Sequence, residues 1–320
     1  MRVFFATTLV VALSLEIAGH QMKSNTSVSE HSTAIVANQS MTASVTSKDS
    51  TTIGYRQLGH GPGLVILHGT AESSHSHTEL AEALADAYTV YLPDRRGRGP
   101  SGTYGVGYGV AKEVEDLDAI LTRTGAHYVF GVSVGAIVSL HAARALPSIQ
   151  KLAIFEPPFI LNGSPSTAFL ARYDREIAEG NVAAALVTAM KGSEMGPAFF
   201  RAMPYWLMEP LTKHMIARED RNAKAGDVTM RMLAPTLHYD FQLITESEGP
   251  LEGFKEIRGE LLLIGGTKSP KYLQTSVAAL AKVFPRARLV TFNGLGHEAS
   301  GNANQWGKPE QVARELRAFF

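Results

Sequence analysis

Short runs of consecutive apolar residues recur along the chain, separated by segments with apolar residues every three or four positions. The runs lie at 64–67, 88–92, 128–132, 151–155, 260–264 and 288–292. An uninterrupted apolar run between turn signals is typical of a strand buried on both faces of a parallel sheet. The segments between them, such as 80–87 and 111–123, have the spacing of amphipathic helices. This alternation predicts an α/β fold with a mostly parallel sheet flanked by helices.

The predicted core is interrupted once. It begins at 43–58, where two alternating segments flank a polar turn and predict a hairpin. From 159 to 253 the alternation gives way to helical segments separated by Gly and Pro. We therefore assign 43–158 and 254–320 to the core and 159–253 to an inserted helical domain.

The inserted domain is rich in methionine. It holds seven of the ten methionines, Met190, Met195, Met203, Met208, Met215, Met230 and Met232, together with Phe199, Phe200, Tyr205 and Trp206. Because methionine adapts to irregular shapes, this composition suits an apolar roof over a binding pocket. Packing of the helices onto the core explains it equally well. The pocket reading predicts a small apolar substrate.

The N-terminal residues read as a targeting segment. Residues 1–19 begin with Arg2, continue with the apolar run 3–15 and end with small residues, as a secretory signal peptide does. Residues 20–42 are rich in Ser and Thr and lack apolar periodicity, so we predict a disordered linker. We expect a secreted or periplasmic protein, with a retained membrane anchor as the alternative. The apolar run is too short for a comfortable membrane span, so no stable membrane insertion is expected.

Charge and cysteine content exclude several function classes. Thirty basic residues balance thirty acidic ones, so nothing indicates a surface for nucleic acid or for an anionic membrane. The chain has no cysteine, which excludes disulfides, thiolate catalysis and cysteine metal sites. We expect neither a cofactor nor a metal.

The segment Gly131-Val132-Ser133-Val134-Gly135 follows the strand at 128–132 and precedes a helical pattern. In a sharp strand–turn–helix of this kind the serine hydroxyl stands at the end of the sheet, and both glycines are needed where strand and helix nearly touch. Ser133 is therefore the candidate nucleophile.

Other polar clusters also follow predicted strands. They are His68-Gly69-Thr70, Asp94 to Gly102, Glu156-Pro157-Pro158 and Gly294-Leu295-Gly296-His297. Ligands bind beyond the carboxyl ends of the strands in open α/β sheets, so these clusters are expected to surround one site with Ser133.

In the order and rough spacing of these motifs, the chain resembles the α/β-hydrolase superfamily, in particular its serine-dependent branch with an Asp-Arg-Arg-Gly-Arg-Gly segment. The resemblance extends from about residue 43 to 320. It implies the α/β-hydrolase fold, with the domain at 159–253 as the helical cap. It further implies two oxyanion-hole donors, the backbone N–H groups of Thr70 and Val134.

A serine hydroxyl needs a base and a group that orients the base. The resemblance places the base at His297. The family's commonest position for the acid, after the strand at 260–264, holds no carboxylate here. We assign Glu156, because a charged residue between Phe155 and Pro157 needs a partner such as His297. Asp240 is the next candidate, and a dyad without an acid also stays open.

Three neighbouring features receive structural interpretations. His68 is expected to brace its loop. The run Asp94-Arg95-Arg96 could bind phosphate, but the resemblance favours a scaffold turn. His75, His77 and Glu79 could be drawn as a metal cluster, yet they lie in one loop without a further ligand group elsewhere, which disfavours that interpretation.

These residues predict a cofactor-independent serine hydrolase that cleaves a small apolar carboxylic ester or lactone through an acyl-enzyme. Amide, carbon–carbon bond or perhydrolase chemistry with the same residues is the alternative among enzymes. A binding protein for a small apolar molecule is the alternative outside them. The pattern leaves the oligomeric state open.

Overall fold

The structure, a computed structural model, describes residues 40–195, 199 and 202–320. The predicted signal peptide and nearly all of the predicted linker lie outside these residues. Within them, eight strands form one sheet in the order β1-β2-β4-β3-β5-β6-β7-β8. The strands are β1 Met41–Thr46, β2 Thr52–Gly59, β3 Gly63–Leu67, β4 Thr89–Pro93, β5 Tyr128–Val132, β6 Lys151–Phe155, β7 Glu260–Gly266 and β8 Arg288–Phe292.

The predicted α/β-hydrolase architecture is confirmed. From β4 to β8 all neighbouring strands pair in parallel, whereas β1 pairs with β2 and β2 with β4 in antiparallel fashion. The hairpin predicted at 43–58 is therefore the antiparallel edge of the sheet. One boundary is corrected, because β1 begins at Met41 and takes two residues from the predicted linker. Met41 and Thr42 pair with Gln57 and Arg56 in the sheet, a pairing that composition alone does not reveal.

Helices cover both faces of the sheet. Alternate residues of β3 point to opposite faces: Val65 and Leu67 join one apolar cluster, and Leu64 and Ile66 join the other. The core helices are α1 Thr78–Glu82, α2 Val110–Thr124, α3 Val134–Ala145, α9 Lys271–Val283 and α10 Pro309–Arg317. Helices α2, α3 and α9 pack on the first face, and α1 and α10 on the second.

A set of helices lies between β6 and β7, inside the range predicted for the cap. They are α4 Leu170–Ala178, α5 Val182–Gly192, α6 Tyr205–Asn222, α7 Met230–Leu233 and α8 Leu237–Glu246. Most of the cap methionines pack against the cap's own helices: Met190 and Met208 are buried together, with Met203 and Met215 beside them. Met195 instead accepts a hydrogen bond from Tyr272 of the core at 3.3 Å.

In the part of the chain that the structure describes, none of the helices has the length and apolar character needed to cross a bilayer.

Candidate active site

Ser133 stands in a strained turn between β5 and α3. Its φ of 53° and ψ of −121° lie in a region that side chains rarely adopt, at a cost of about 1–3 kcal/mol. The predicted need for both glycines is confirmed. A Cβ on Gly135 would overlap the Leu67 carbonyl oxygen, and one on Gly131 would lie 2.7 Å from Ala136 Cα. The Ser133 N–H donates to the Phe155 carbonyl at 2.9 Å, which joins the turn to β6.

Glu156 and His297 meet at this edge of the sheet. His297 Nδ1 lies 2.7 Å from Glu156 Oε2, and Glu156 is fully buried. The other carboxylate oxygen accepts the Gly266 N–H at 2.6 Å. Glu156 has a positive φ of 46°, so its backbone is strained as that of Ser133 is. The carboxylate thus reaches β7 from β6, and it fills the place where the sequence after β7 offers no acid.

The same carboxylate sets the charge of the imidazole. Burial by itself would lower the pKa of His297, but the hydrogen bond and negative charge of Glu156 raise it above the usual 6.5, with smaller contributions from Glu72 and Glu298. A carboxylate at Nδ1 also selects the tautomer that leaves Nε2 free to accept a proton. His297 is therefore oriented as a base requires.

The loop after β3 lies against the nucleophile. A Cβ on Gly69 would sit 2.8 Å from Ser133 Cβ. The N–H of Thr70, like the hydroxyl of Ser133, makes no hydrogen bond to another described residue. Val134 is the first residue of α3, where the N–H has no acceptor within the helix. Both predicted oxyanion donors thus belong to segments that flank Ser133.

Comparison with known proteins identifies the family. The model of the alpha/beta hydrolase family matches residues 64–315. This chain belongs to the α/β-hydrolase family. It is 35% identical over 264 residues to a pimeloyl-[acyl-carrier protein] methyl ester esterase from Xanthomonas axonopodis pv. citri, covering 82% of this chain and 96% of that protein.

Solved structures agree on the fold. An α/β hydrolase from Sphaerobacter thermophilus aligns with a TM-score of 0.69 at 31% identity, over 87% of this chain and 100% of the other. An esterase from Rhodococcus aligns with a TM-score of 0.60 at 19% identity, over 87% and 98% of the two chains. The expectation of a hydrolase is thereby confirmed at the level of the family.

Asp240, the second candidate for the acid, serves elsewhere in this α/β hydrolase. Its carboxylate is fully buried and contacts Arg95 at 2.9 Å and Arg98 at 2.6 Å. One oxygen also accepts the Ala71 N–H at 3.3 Å. Asp240 therefore stabilises the scaffold beside the site, while Glu156 holds the imidazole.

The arginines after β4, in the segment Asp94 to Gly99, form a structural scaffold, which is the interpretation that the family resemblance favoured over a phosphate site. All three arginines are buried and paired with carboxylates. The pairs are Arg95 with Glu113 and Asp240, Arg96 with Asp49 and Asp116, and Arg98 with Asp240. Asp94 accepts from the N–H and the hydroxyl of Ser74 at 2.7 and 3.0 Å. Because each of these arginines is already paired with a carboxylate, their side chains are not arranged to bind phosphate.

His68 braces its loop, also as expected. Its Nε2 accepts the Arg95 N–H at 3.1 Å, so Nδ1 carries the proton and donates to the Gly69 carbonyl at 3.0 Å. Burial and the charges of Arg98 and Arg95 hold the pKa of His68 well below its usual range. A ring that stays neutral and has both nitrogens engaged is a brace and not a second base.

The segment 72–79, which the sequence suggested to be one loop, ends in the first residues of α1, and it contains a site residue, Glu72, that the sequence pattern did not indicate. Glu72 is buried and accepts from the Gly69 N–H at 2.6 Å and from His77 Nε2 at 3.1 Å. His77 is thus engaged by Glu72, while Glu79 accepts the Ala303 N–H at 2.8 Å. Among the described residues, no group of three or more potential metal ligands is present. A lone Glu in a polar loop gives no signal of burial, so only the structure reveals its partners.

Proposed function

We propose that this α/β hydrolase is a serine-dependent enzyme that cleaves a small apolar carboxylic ester or lactone through an acyl-enzyme, with no cofactor. Ser133 is the nucleophile, His297 the base and Glu156 the acid that orients it. The observation that carries the proposal is the 2.7 Å contact between His297 Nδ1 and the buried Glu156 carboxylate, at the edge where Ser133 occupies its strained turn.

The chemistry follows from these placements. Ser133 Oγ attacks the ester carbonyl while His297 Nε2 takes its proton, and the bond from carbon to the alcohol oxygen breaks as His297 returns the proton to the leaving alcohol. The N–H groups of Thr70 and Val134 stabilise the oxyanion, a contribution of about 100-fold to 1000-fold in rate per donor. Water activated by His297 then releases the acid. For this proton transfer Ser133 Oγ and His297 Nε2 must come within hydrogen-bond reach, and such contacts often tighten only when substrate is bound.

Two observations support an apolar ester as the substrate class. Ala71, the residue after Thr70, packs against an apolar cluster of the cap formed by Tyr173, Ala185, Ala189 and Leu237, and Phe169 and Phe241 pack against the same cluster. The relative from Xanthomonas is named as a methyl ester esterase. We further propose that the chain belongs to the serine-dependent branch with the Asp-Arg-Arg-Gly-Arg-Gly segment, a proposal supported by the sequence from Asp94 to Gly99 and by the burial of its three arginines. Export through residues 1–19 is part of the proposal and is tested by fractionation of the expressing cells.

A substrate panel with one variant tests the proposal. Wild type and Ser133→Ala are assayed against p-nitrophenyl esters of increasing acyl length, methyl esters, lactones and amides. We expect turnover of short apolar esters by wild type and a loss of at least about 10⁴-fold in Ser133→Ala, with unchanged unfolding. Preferential cleavage of amides would favour the alternative chemistry. Ligand binding without turnover by wild type would contradict the proposal and favour a binding protein.

A further inference from the structure

A second carboxylate–imidazole pair lies beside the nucleophile. The side chains of Glu72 and His77 are 3% and 1% exposed, respectively. A Cβ on Gly69 would lie 3.2 Å from Glu72 Oε2 and 2.8 Å from Ser133 Cβ, so the carboxylate and the nucleophile flank the same residue. The triad proposed above does not use this pair.

The hydrogen bonds of His77 indicate its protonation state. Its Nδ1 lies 2.8 Å from the Ser300 carbonyl oxygen, and its Nε2 lies 3.1 Å from the Glu72 carboxylate. Both partners are acceptors, and a neutral imidazole has only one N–H to donate. The imidazolium form satisfies both contacts. Consistently, the charge and hydrogen bond of Glu72 raise the pKa of His77 against the effect of burial.

Glu72 is correspondingly held as an anion. Burial would raise the pKa of its carboxyl, but the charge and hydrogen bond of His77, together with the Gly69 N–H, lower it overall. Both donors converge on the single oxygen Oε2. His77 thereby neutralises a negative charge that would otherwise oppose the developing oxyanion nearby.

The contacts of Gly69 connect this pair to the oxyanion hole. Its N–H is held by Glu72 at 2.6 Å, and its carbonyl oxygen is held by His68 Nδ1 at 3.0 Å. The peptide from Gly69 to Thr70 is planar and trans, so the direction of the Gly69 carbonyl fixes the direction of the Thr70 N–H. Two side chains thus hold the residue that aims the donor.

We propose that Glu72, kept ionised by His77, is a positioning residue that fixes the loop 68–71 so that the Thr70 N–H points at the oxyanion. This inference rests on the proposed function, since it assigns Thr70 to the oxyanion hole. Glu72 acts through Gly69 and touches no reacting atom. Its charge also faces His297, together with the charges of Glu156 and Glu298.

The test compares Glu72→Ala, Glu72→Gln and a matched control. Asp116→Asn is the control, because it weakens the contact of another buried carboxylate, with Arg96, outside the loop 68–71. We expect Glu72→Ala to lose about 10-fold to 100-fold in kcat on a p-nitrophenyl ester with KM changed by less than about 3-fold. Glu72→Gln should recover kcat to within about 10-fold of wild type, because the amide oxygen still accepts the Gly69 N–H. The control should keep the wild-type kcat.

A pH profile separates positioning from a general loss of stability. In Glu72→Gln the acid limb of kcat/KM should move to lower pH, because a negative charge that raises the pKa of His297 is gone. Asp116→Asn should leave the limb in place. An unchanged kcat in Glu72→Ala, or a loss in Glu72→Gln as large as in Glu72→Ala, would overturn the proposal.

A second readout is independent of activity. Nitrogen-15 NMR of the histidine rings should show His77 protonated on both nitrogens at neutral pH in wild type, and with one proton in Glu72→Ala. A neutral His77 in wild type would overturn the inference even if the enzyme is active. Absence of both turnover and Ser133 labelling in wild type would instead contradict the proposed function.

Discussion

Two regions of this protein bury charged side chains, and they differ in how completely those side chains are paired. In the scaffold after β4, each of Arg95, Arg96 and Arg98 contacts at least one carboxylate. At the carboxyl edge of β5 and β6, Glu156 and His297 are paired, yet the Ser133 hydroxyl and the Thr70 N–H make no hydrogen bond to another described residue. The ion pairs hold the scaffold in place, whereas the Ser133 hydroxyl and the Thr70 N–H are left to interact with a substrate.

Backbone strain also marks the candidate site. Of the six described non-glycine residues with positive φ, three lie at or beside the candidate site, namely Ala71, Ser133 and Glu156. Residues held in such conformations cost about 1–3 kcal/mol each and persist only where the surroundings impose them. At Ser133 and Glu156 the surroundings include the Phe155 carbonyl, which accepts the Ser133 N–H, and the Gly266 N–H and His297 ring, which contact the Glu156 carboxylate.

The largest expected effect comes from Glu156→Gln. The amide no longer holds the imidazole in the tautomer that accepts the serine proton, so we expect kcat on a short ester to fall by about 10⁴-fold. The unfolding midpoint in urea should change little by comparison. Steady-state kinetics and urea titration on the same preparation measure both.

Asp240→Asn is the matched control, because Asp240 is an equally buried carboxylate on the scaffold side. Asp240→Asn should lower stability while kcat stays within about 10-fold of wild type, because Asp240 contacts the loop 68–71 only through the Ala71 N–H, at 3.3 Å. If Asp240→Asn abolished turnover and Glu156→Gln did not, the assignment of the acid would be wrong.

Arg95→Met should have the opposite effect to Glu156→Gln: it should lower stability strongly and change kcat little. Removing the guanidinium leaves the Glu113 carboxylate buried without its countercharge and takes one of two arginines from Asp240. We expect the free energy of unfolding to fall by about 3–5 kcal/mol, measured by urea denaturation. The kcat of the folded fraction should stay within about 10-fold of wild type. A stable variant with lost activity would place Arg95 in the chemistry.

The pH dependence of kcat/KM is expected to be a smaller effect than these losses, and it reports on the site through His297. Since the pKa of His297 is raised above 6.5, kcat/KM should rise with pH through a midpoint above that value, because only the neutral ring accepts a proton. The charged ring stabilises the folded state, so this contribution is fully present below pH 6.5 and is lost as pH rises through the folded pKa. A midpoint below 6.5 would contradict the assigned environment of His297.

Ser269→Ala should have the smallest effect on both stability and kcat. Ser269 occupies the loop after β7 where the family's acid commonly lies, and its buried hydroxyl has no hydrogen-bond partner among the described residues. Removing it should change the free energy of unfolding by less than about 0.5 kcal/mol and leave kcat within about 2-fold. A large loss of rate would show that the loop after β7 contributes to the chemistry after all.

Most of the sheet and the main candidate residues could be predicted from the sequence, because short local patterns of apolar residues and glycines indicate strands and turns. The apolar runs in the sequence end at the same residues as β6 and β8, and Gly131 and Gly135 indicated the turn around Ser133. Glu156 was inferred from two signals: no carboxylate follows β7, and a charged residue between Phe155 and Pro157 needs a partner. Gly265 is a further signal, because a side chain there would crowd the Glu156 carboxylate. The pairing of Glu72 with His77 depends on tertiary contacts with Gly69 and Ser300, which no local pattern encodes.

The central claim is that His297, oriented by Glu156, activates Ser133. Its most direct test is the rate of covalent labelling by a fluorophosphonate from about pH 5 to about pH 9, with peptide mapping of the labelled residue. The account predicts that the label is on Ser133 and that its rate rises with the deprotonation of a single group whose pKa is above 6.5. Labelling at another residue, or a rate on Ser133 that does not change with pH, would contradict it.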